Sequence, residues 1–521
     1  MNQSMLLACF KQLMEQGWKN VFTQQRVFNR VRRLSVAMLI NLRMHLTSSA
    51  ICATGRQSQD WTADYRVCSE SPWNPRQLFD PILDALPGLL SSPQAPVLVA
   101  LDDTMIKKTG RKIPGVAIGR DPMSPPFHVN LCYGLRFVQA SVLVAPLDRP
   151  GAARALPVRF ELAPPAVKPK RKSNKTGDGN VGDQPMAAGQ AITGAEKANK
   201  ATKKPDSLEE AAYKQDKKLR RLPQVGLNTI HSIRQSMNER PALRDRILIV
   251  SGDGSYTNRL ILRGLPEKTV YIGRIRKDAK LHWPVAAAGS NTNGRPRLYG
   301  PKAPTPDELL KEESVEPTHV SCFAAGEVRS IPVKGIKTLY WRNAGVDVPV
   351  QVVVIKPLGY RLRKGSKLLY RQPAFLICTD PDLPLQALVQ DYLYRWEIEC
   401  NHRDEKSLLG VGQGQVRNPE AVRRLPQLQV ATYSLLLLAS LLSSGFARGQ
   451  GEYLPLPKWR RLSESARPSV LDMLNLLRQQ IFAQSLDQPL FSFEPFDNDS
   501  TDVDKPQKPP LTAETLATLA A

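Results

Sequence analysis

The stretch YLYRWEIECNHRDEKSLLG, beginning at Tyr392, concentrates groups that could handle a phosphate. Wound as one α-helix from Tyr392 at about 100° per residue, it puts Arg395 at about 300°, Lys406 at about 320° and Glu399 at about 340°. These residues share an arc of roughly 60° with Tyr392, and Arg403 follows at about 20°. The other acids fall elsewhere, with Asp404 at about 120°, Glu397 at about 140° and Glu405 at about 220°. One carboxylate ringed by two cations and a phenol suits a negatively charged substrate. A solvated helix more usually scatters its signs or pairs Glu with Lys at i,i+4. A salt-bridged surface helix remains the alternative reading, to be decided by the rest of the chain.

Two further acids stand where strands should end. APVLVALDDT reads as a short buried strand with Asp102 and Asp103 at its C-terminal end, and RDRILIVSGDGSYTN reads as a strand leading to Asp253 in a Gly-rich turn. Taken singly these are weak signals, since Asp is an ordinary turn residue. Together with Glu399 they form the donor set that two Mg²⁺ (or Mn²⁺) ions require: hard oxygens with open positions. Two such ions roughly 3.5–4 Å apart serve phosphoryl transfer.

Composition supplies the context. The 521 residues suffice for two to four domains, and the net charge of +24 points to a polyanion, nucleic acid before anionic lipid. The seven cysteines are scattered without a CxxC, so neither a disulfide framework nor a zinc module is expected, which suits the cytoplasm. The N-terminus lacks the pattern of a signal peptide. VATYSLLLLASLL, Val430 to Leu442, is short and interrupted for a membrane span, and a buried core helix is expected there.

Along the chain, residues 1–90 read as a helical N-terminal domain that could bind DNA or simply pack. A first catalytic segment, 91–255, contains a Lys-, Gly- and Pro-rich insertion at 165–206 expected to be disordered. Asp206 with Glu209 looks like the cap of the helix that follows. Residues 256–380 read as a β-rich insertion, 381–445 as the end of the catalytic unit, and 446–521 as a C-terminal region with a disordered tail from Asp487.

Y392-x2-R395-x3-E399-x6-K406 matches the Y-(2)-R-(3)-E-(6)-K signature of IS4-type DDE transposases. LDDT and VSGDGSYTN resemble that family's two aspartate blocks, and GRIRKDA resembles the segment after the second. DWTADYRVCSESPW is similar to what precedes the catalytic domain in the IS701-like branch. The resemblance covers roughly residues 20 to 445. It implies an α/β, RNase H-like catalytic domain interrupted by a mainly β insertion. It also implies Mg²⁺-dependent cleavage at the ends of an insertion sequence, strand transfer into target double-stranded DNA, and a synaptic homodimer.

By the same resemblance Asp253 and Glu399 are metal ligands, while Tyr392, Arg395 and Lys406 grip the DNA backbone. Arg403, just off their arc, is a further DNA contact. The family's first acid commonly precedes a Thr, which selects Asp103; Asp102, on the opposite face of the strand, stays open as the alternative. An RNase H-like nuclease without strand transfer, or a non-catalytic DNA-binding protein of the same fold, are the competing readings.

Overall fold

A computed structural model of the chain describes residues 5–486 except 43, 122–123, 126, 170–207, 286–296, 362–364, 458 and 460–465. The Lys-rich insertion from residue 170 onward, Asp206 and the tail from Asp487 lie outside the described residues.

The chain opens with helices α1 (Met5–Trp18), α2 (Gln25–Ile40), α3 (Thr47–Ala53), α4 (Thr62–Ser69) and α5 (Asp80–Leu89). Their apolar faces bury Phe10, Met14, Trp18, Phe28 and Leu83 in the same core that holds the sheet below. Within that core a buried Arg33 pairs with Asp64 at 2.5 Å, so this charge is compensated rather than displayed.

Thirteen strands are described, eleven of them in one mixed sheet. They are β1 (Val97–Lys107), β2 (Ala117–Arg120), β3 (Leu131–Val144), β4 (Arg154–Leu162), β5 (Leu248–Gly252), β6 (Thr269–Arg274), β7 (Leu281–His282), β8 (Thr318–Ala324) and β9 (Glu327–Trp341), followed by β10 (Pro349–Ile355), β11 (Gly359–Tyr360), β12 (Leu369–Tyr370) and β13 (Ala374–Cys378). Of these, β2-β3-β1-β5-β6-β13-β10-β9-β7 are successive neighbours, with β4 beside β3 and β8 beside β9, while β11 and β12 pair with each other. The run β4-β3-β1-β5-β6 is antiparallel across β4, β3 and β1 and parallel from β1 through β5 to β6. Helices α6 (Leu208–Leu219), α7 (Leu222–Asn238) and α8 (Pro241–Arg244) lead from β4 to β5, and α9 (Arg259–Arg263) leads from β5 to β6.

The β-rich stretch after Asp253 does not stand apart. Its first long strand, β6, lies parallel beside β5, and β13, β10 and β9 extend the same sheet. A short helix α10 (Pro306–Lys311) sits within it, started by a capping box between Thr305 and Glu308. The chain then crosses back by α11 (Leu385–Tyr394), α12 (Trp396–Ser407) and α13 (Pro419–Ser444), and α14 (Val470–Leu486) returns to α1 and α2.

Helix α13 is long and apolar enough to cross a membrane, yet 94% of its most apolar window is buried inside the fold. It is started by Asn418, whose side chain accepts from the backbone of Glu420 and Ala421, and by Pro419 at the first turn. As the sequence suggested, it serves as a core helix.

Two local expectations need correction. The first strand does not end at Asp102–Asp103 but runs on to Lys107, because β3 keeps pairing with it as far as Lys107↔Gly134. What ends is the parallel partner: β5 leaves at Leu101↔Gly252, which opens that edge beside the two acids. The segment from Tyr392 is likewise not one helix. It is broken at Arg395, where the backbone tightens to i,i+3 bonds, Arg395 N donating to Tyr392 O at 3.2 Å and Ile398 N to Arg395 O at 3.1 Å.

Candidate active site

Alternation along β1 decides where each acid points. Leu98 and Ala100 pack with Leu143, Ala155 and Ile398, the last from α12. Leu101, on the other face, lies close to Gly226 of α7. Asp102 therefore emerges beneath α12 and Asp103 emerges on the opposite face, beside Tyr256.

The side chains follow that division. Arg395 donates from Nη1 to Asp102 Oδ2 at 3.0 Å and from Nη2 to Glu399 Oε1 at 3.0 Å. Its guanidinium stands 5.8 Å from the Tyr392 ring centre. Asp103 instead accepts from Arg136 Nε at 2.7 Å and from the Tyr256 hydroxyl at 3.1 Å. The two neighbouring acids thus belong to different hydrogen-bond networks.

Asp253 follows β5 directly. Its Oδ1 accepts from Ser255 N at 2.9 Å, Ser255 Oγ at 2.6 Å and Tyr256 N at 3.3 Å, a turn that fixes one oxygen. Gly252 before it is required by space: a Cβ there would meet the Tyr271 hydroxyl at 2.4 Å. The side chain acts electrically on Asp102, Asp103, Tyr256, Tyr271 and Tyr392, so it stands among all of them.

Helix α12 is locked to the sheet on a stripe one step from the arc that carries Arg395 and Glu399. Ile398 is fully buried, and Asn401 Nδ2 donates to Ser141 Oγ at 3.2 Å and to Ala155 O at 3.1 Å. Glu405 is buried, accepting from Gln139 Nε2 at 3.0 Å. The Tyr433 hydroxyl of α13 donates to Asn401 Oδ1 at 3.2 Å. This polar lattice holds the helix in one rotation, which is how a side chain on it can be placed accurately.

Burial pushes the Asp102 carboxyl up to about 6; Arg395 pulls against that rise, and Asp253 and Asp103 add to it. Burial raises Asp103 as well, with Arg136 opposing. It also raises the Tyr392 phenol, although Arg395 and Arg274 draw it down. Desolvation works against the Arg395 charge, but Tyr392, Asp102 and Glu399 outweigh it and leave the guanidinium more firmly protonated. Congested carboxylates beside committed cations are characteristic of sites that handle charge.

The expected residues are brought together unequally. Tyr392, Arg395, Glu399 and Asp102 form one cluster, with Asp253 in its field. Lys406 is exposed two turns beyond Glu399; desolvation lowers its amine and Lys107 adds to the lowering. Arg403 turns aside to Asp404 at 3.0 Å and is largely exposed. Among the described residues, no three His, Cys, Asp or Glu side chains are gathered closely enough to hold a metal ion as they stand. The Arg395 guanidinium lies between two of the acids, Asp102 and Glu399.

The donor type suits a divalent ion, although the side chains are not gathered around one. Asp102, Asp253 and Glu399 supply the hard carboxylate oxygens such ions take, and the repulsion felt at Asp102 is what a cation would relieve. A family model described as DDE superfamily endonuclease matches residues 34–329, more than half of the chain. The chain belongs to this family. The DDE match spans Asp102, Asp103 and Asp253 and stops before Glu399. No curated protein matches the sequence. Membership means a nuclease acting on DNA, in a family whose enzymes generally use divalent metal ions.

Several residues around this cluster had no signal in the sequence. Tyr256 and Arg136 hold Asp103, and Arg274 stands near Tyr392. His402, at about 280° on the same wheel, borders the arc and carries a buried Nε2 without a hydrogen-bond partner. Winding the helix once more would have found His402; Arg136 and Tyr256 come from other elements.

Proposed function

We propose that the chain is a DNA transposase of the IS4 type, in its IS701-like branch, which cleaves at insertion-sequence ends and joins them to target DNA. The observation that carries this reading is the Arg395 bridge between Asp102 and Glu399, with Asp253 in range. It lies beside the run β4-β3-β1-β5-β6, antiparallel then parallel, which supports the RNase H-like reading, and further strands fall between Asp253 and Glu399.

In this reading Asp102, rather than Asp103, is the first acid, because it shares a face of β1 with the helix that bears Glu399. Asp102, Asp253 and Glu399 would hold two divalent ions, Mg²⁺ or Mn²⁺. Ions held there supply stabilisation of the oxygens that gain charge as a phosphodiester breaks. Arg395 keeps two carboxylates close and offers the fork of donors that suits a phosphate. Tyr392 packs against that fork and orients it. Lys406, with Arg403 farther out, extends the positive edge along the backbone, contacts that position rather than specify. Asp103, tied to Arg136 and Tyr256, braces the strand from behind.

The remaining proposals are a cytoplasmic protein that acts as a synaptic homodimer on double-stranded DNA. The test is incubation with DNA carrying the element's terminal repeats and Mg²⁺. Strand-transfer products support the transposase; hydrolysis alone supports a nuclease of the same fold; binding without either leaves only a DNA-binding protein.

A further inference from the structure

The hairpin made by β10 and β13 does not stop at the sheet. Its pairs run from Gln351↔Cys378 to Ile355↔Ala374, and the same register continues outward. Arg371 N donates to Leu358 O at 2.9 Å, after which Gly359 pairs with Tyr370 and Tyr360 with Leu369. Strands β11 and β12 are therefore the far part of one long antiparallel ribbon. An isolated two-stranded ribbon is marginal in water, and this one is anchored by the ladder it prolongs.

The register also shows which way the ribbon points. Gly252 lies beside Gly273, and Gly273 beside Ile377, so Asp253 stands near the level of Leu376. From there β13 and β10 go on to Ala374 and Ile355 before the ribbon begins. It leaves the sheet from the same edge as the acids, two to three strands, or roughly 10–15 Å, to the side of β5. Five residues past Ile355 carry it roughly 17 Å farther.

Its chemistry is one-sided. No acid occurs between Asp347 and Asp380, whereas Lys356, Arg361, Lys367 and Arg371 all fall on the ribbon. Arg361, Lys367 and Arg371 are exposed, and among the described residues no ion pair involves any of the four. Arg371 lies over the Tyr360 ring at 5.5 Å, and Tyr370 is 65% exposed. Exposed cations on a twisted two-stranded ribbon, with aromatic faces between them, complement the phosphates flanking a groove of duplex DNA; the major groove is wide enough to admit such a ribbon.

We propose that the described arms of the ribbon, Lys356–Arg361 and Gly365–Arg371, form a second duplex-binding element, holding DNA roughly half to one helical turn from the phosphate at Asp102, Asp253 and Glu399. The proposal rests on the nuclease reading of that site. It adds a contact that chemistry there does not need.

The test uses the full chain and the triple variant R361A/K367A/R371A. Binding is measured by fluorescence anisotropy against salt, on duplexes extending either about 5 or about 20 base pairs to each side of the cleavage point, lengths set by the span above. The variant should bind the long duplex about tenfold more weakly, with a salt slope lower by about 2.7, and should match the wild type on the short one. A charge-retaining variant, R361K/R371K, should keep the wild-type slope, which separates lost charge from lost folding. If the wild type cleaves DNA while the triple variant keeps its affinity and slope on the long duplex, the ribbon proposal is wrong and the active-site reading stands. A wild type that neither binds nor cuts duplex DNA with Mg²⁺ present overturns both.

Discussion

Asp102 and Glu399 are joined through a single guanidinium, Arg395 giving Nη1 to the first and Nη2 to the second, each at 3.0 Å. The acids come from a strand and a helix far apart in the sequence. Without the cation they would face each other as like charges in a partly buried setting. Asp103, although adjacent to Asp102, has no share in this bridge. The relationship separates the two neighbouring acids more sharply than any sequence pattern.

It makes a paired prediction for DNA cleavage. Asp102→Asn should reduce cleavage by about a hundredfold or more, the scale of losing several kcal/mol of charge stabilisation. Asp103→Asn should cost mainly stability, about 1–2 kcal/mol from a weakened bond to Arg136 and Tyr256. Cleavage rates and urea midpoints measured side by side decide the matter. A reversed ranking would return the role to Asp103.

Arg395 gives a test that needs no DNA. Arg395→Ala leaves Asp102 and Glu399 without their shared partner and should lower stability by about 1–3 kcal/mol in metal-free buffer. Added Mg²⁺ should then raise the melting temperature of the variant more than that of the wild type, because the ion no longer competes with a guanidinium. Equal Mg²⁺ responses would show that the three acids are not placed to share a cation.

Glu405 sets a pH dependence of folding. Burial pushes its carboxyl up to about 8, although Gln139 and Lys406 pull the other way. The unfolded chain releases this proton near pH 4.3 and the folded one holds it, so stability falls as pH rises between those values and levels off above about 8. Gln139 Oε1 is buried without a partner, and a protonated Glu405 is a donor suited to it. Glu405→Gln should flatten the profile and raise the melting temperature at pH 8 relative to pH 5. An unaltered slope in denaturation curves across that range would assign the dependence elsewhere.

Gly252 tests the seat of Asp253. In Gly252→Ala the new methyl meets the Tyr271 hydroxyl at 2.4 Å and the Tyr256 Cβ at 3.3 Å. Overpacking of this kind costs about 1–3 kcal/mol, and the shift should carry to Asp253 and reduce cleavage. The double variant with Tyr271→Phe, which removes the clashing oxygen, should recover much of both. No recovery would place the damage in the backbone rather than in this contact.

The sequence by itself determined which local pieces exist and what they carry. The apolar run before Asp102 had to be a strand and α13 had to be buried, and Tyr392, Arg395 and Glu399 had to lie close in space, although the helix expected to carry all three is broken at Arg395. Those outcomes depend on periodicity and hydrophobicity, which neighbouring residues encode. The tertiary structure decided what those pieces meet. Whether Asp102 or Asp103 faces Glu399 depends on which side of the sheet α12 covers, and that is set by Ile398, Asn401 and Glu405 packing against β1, β3 and β4. The roles of Arg136 and Tyr256 likewise appear only once distant elements are in contact. The ribbon is a product of register, because its one-sided charge gained a direction only when β10 and β13 paired beside β6. Side-chain convergence is a long-range property, and no local window of the chain contains it.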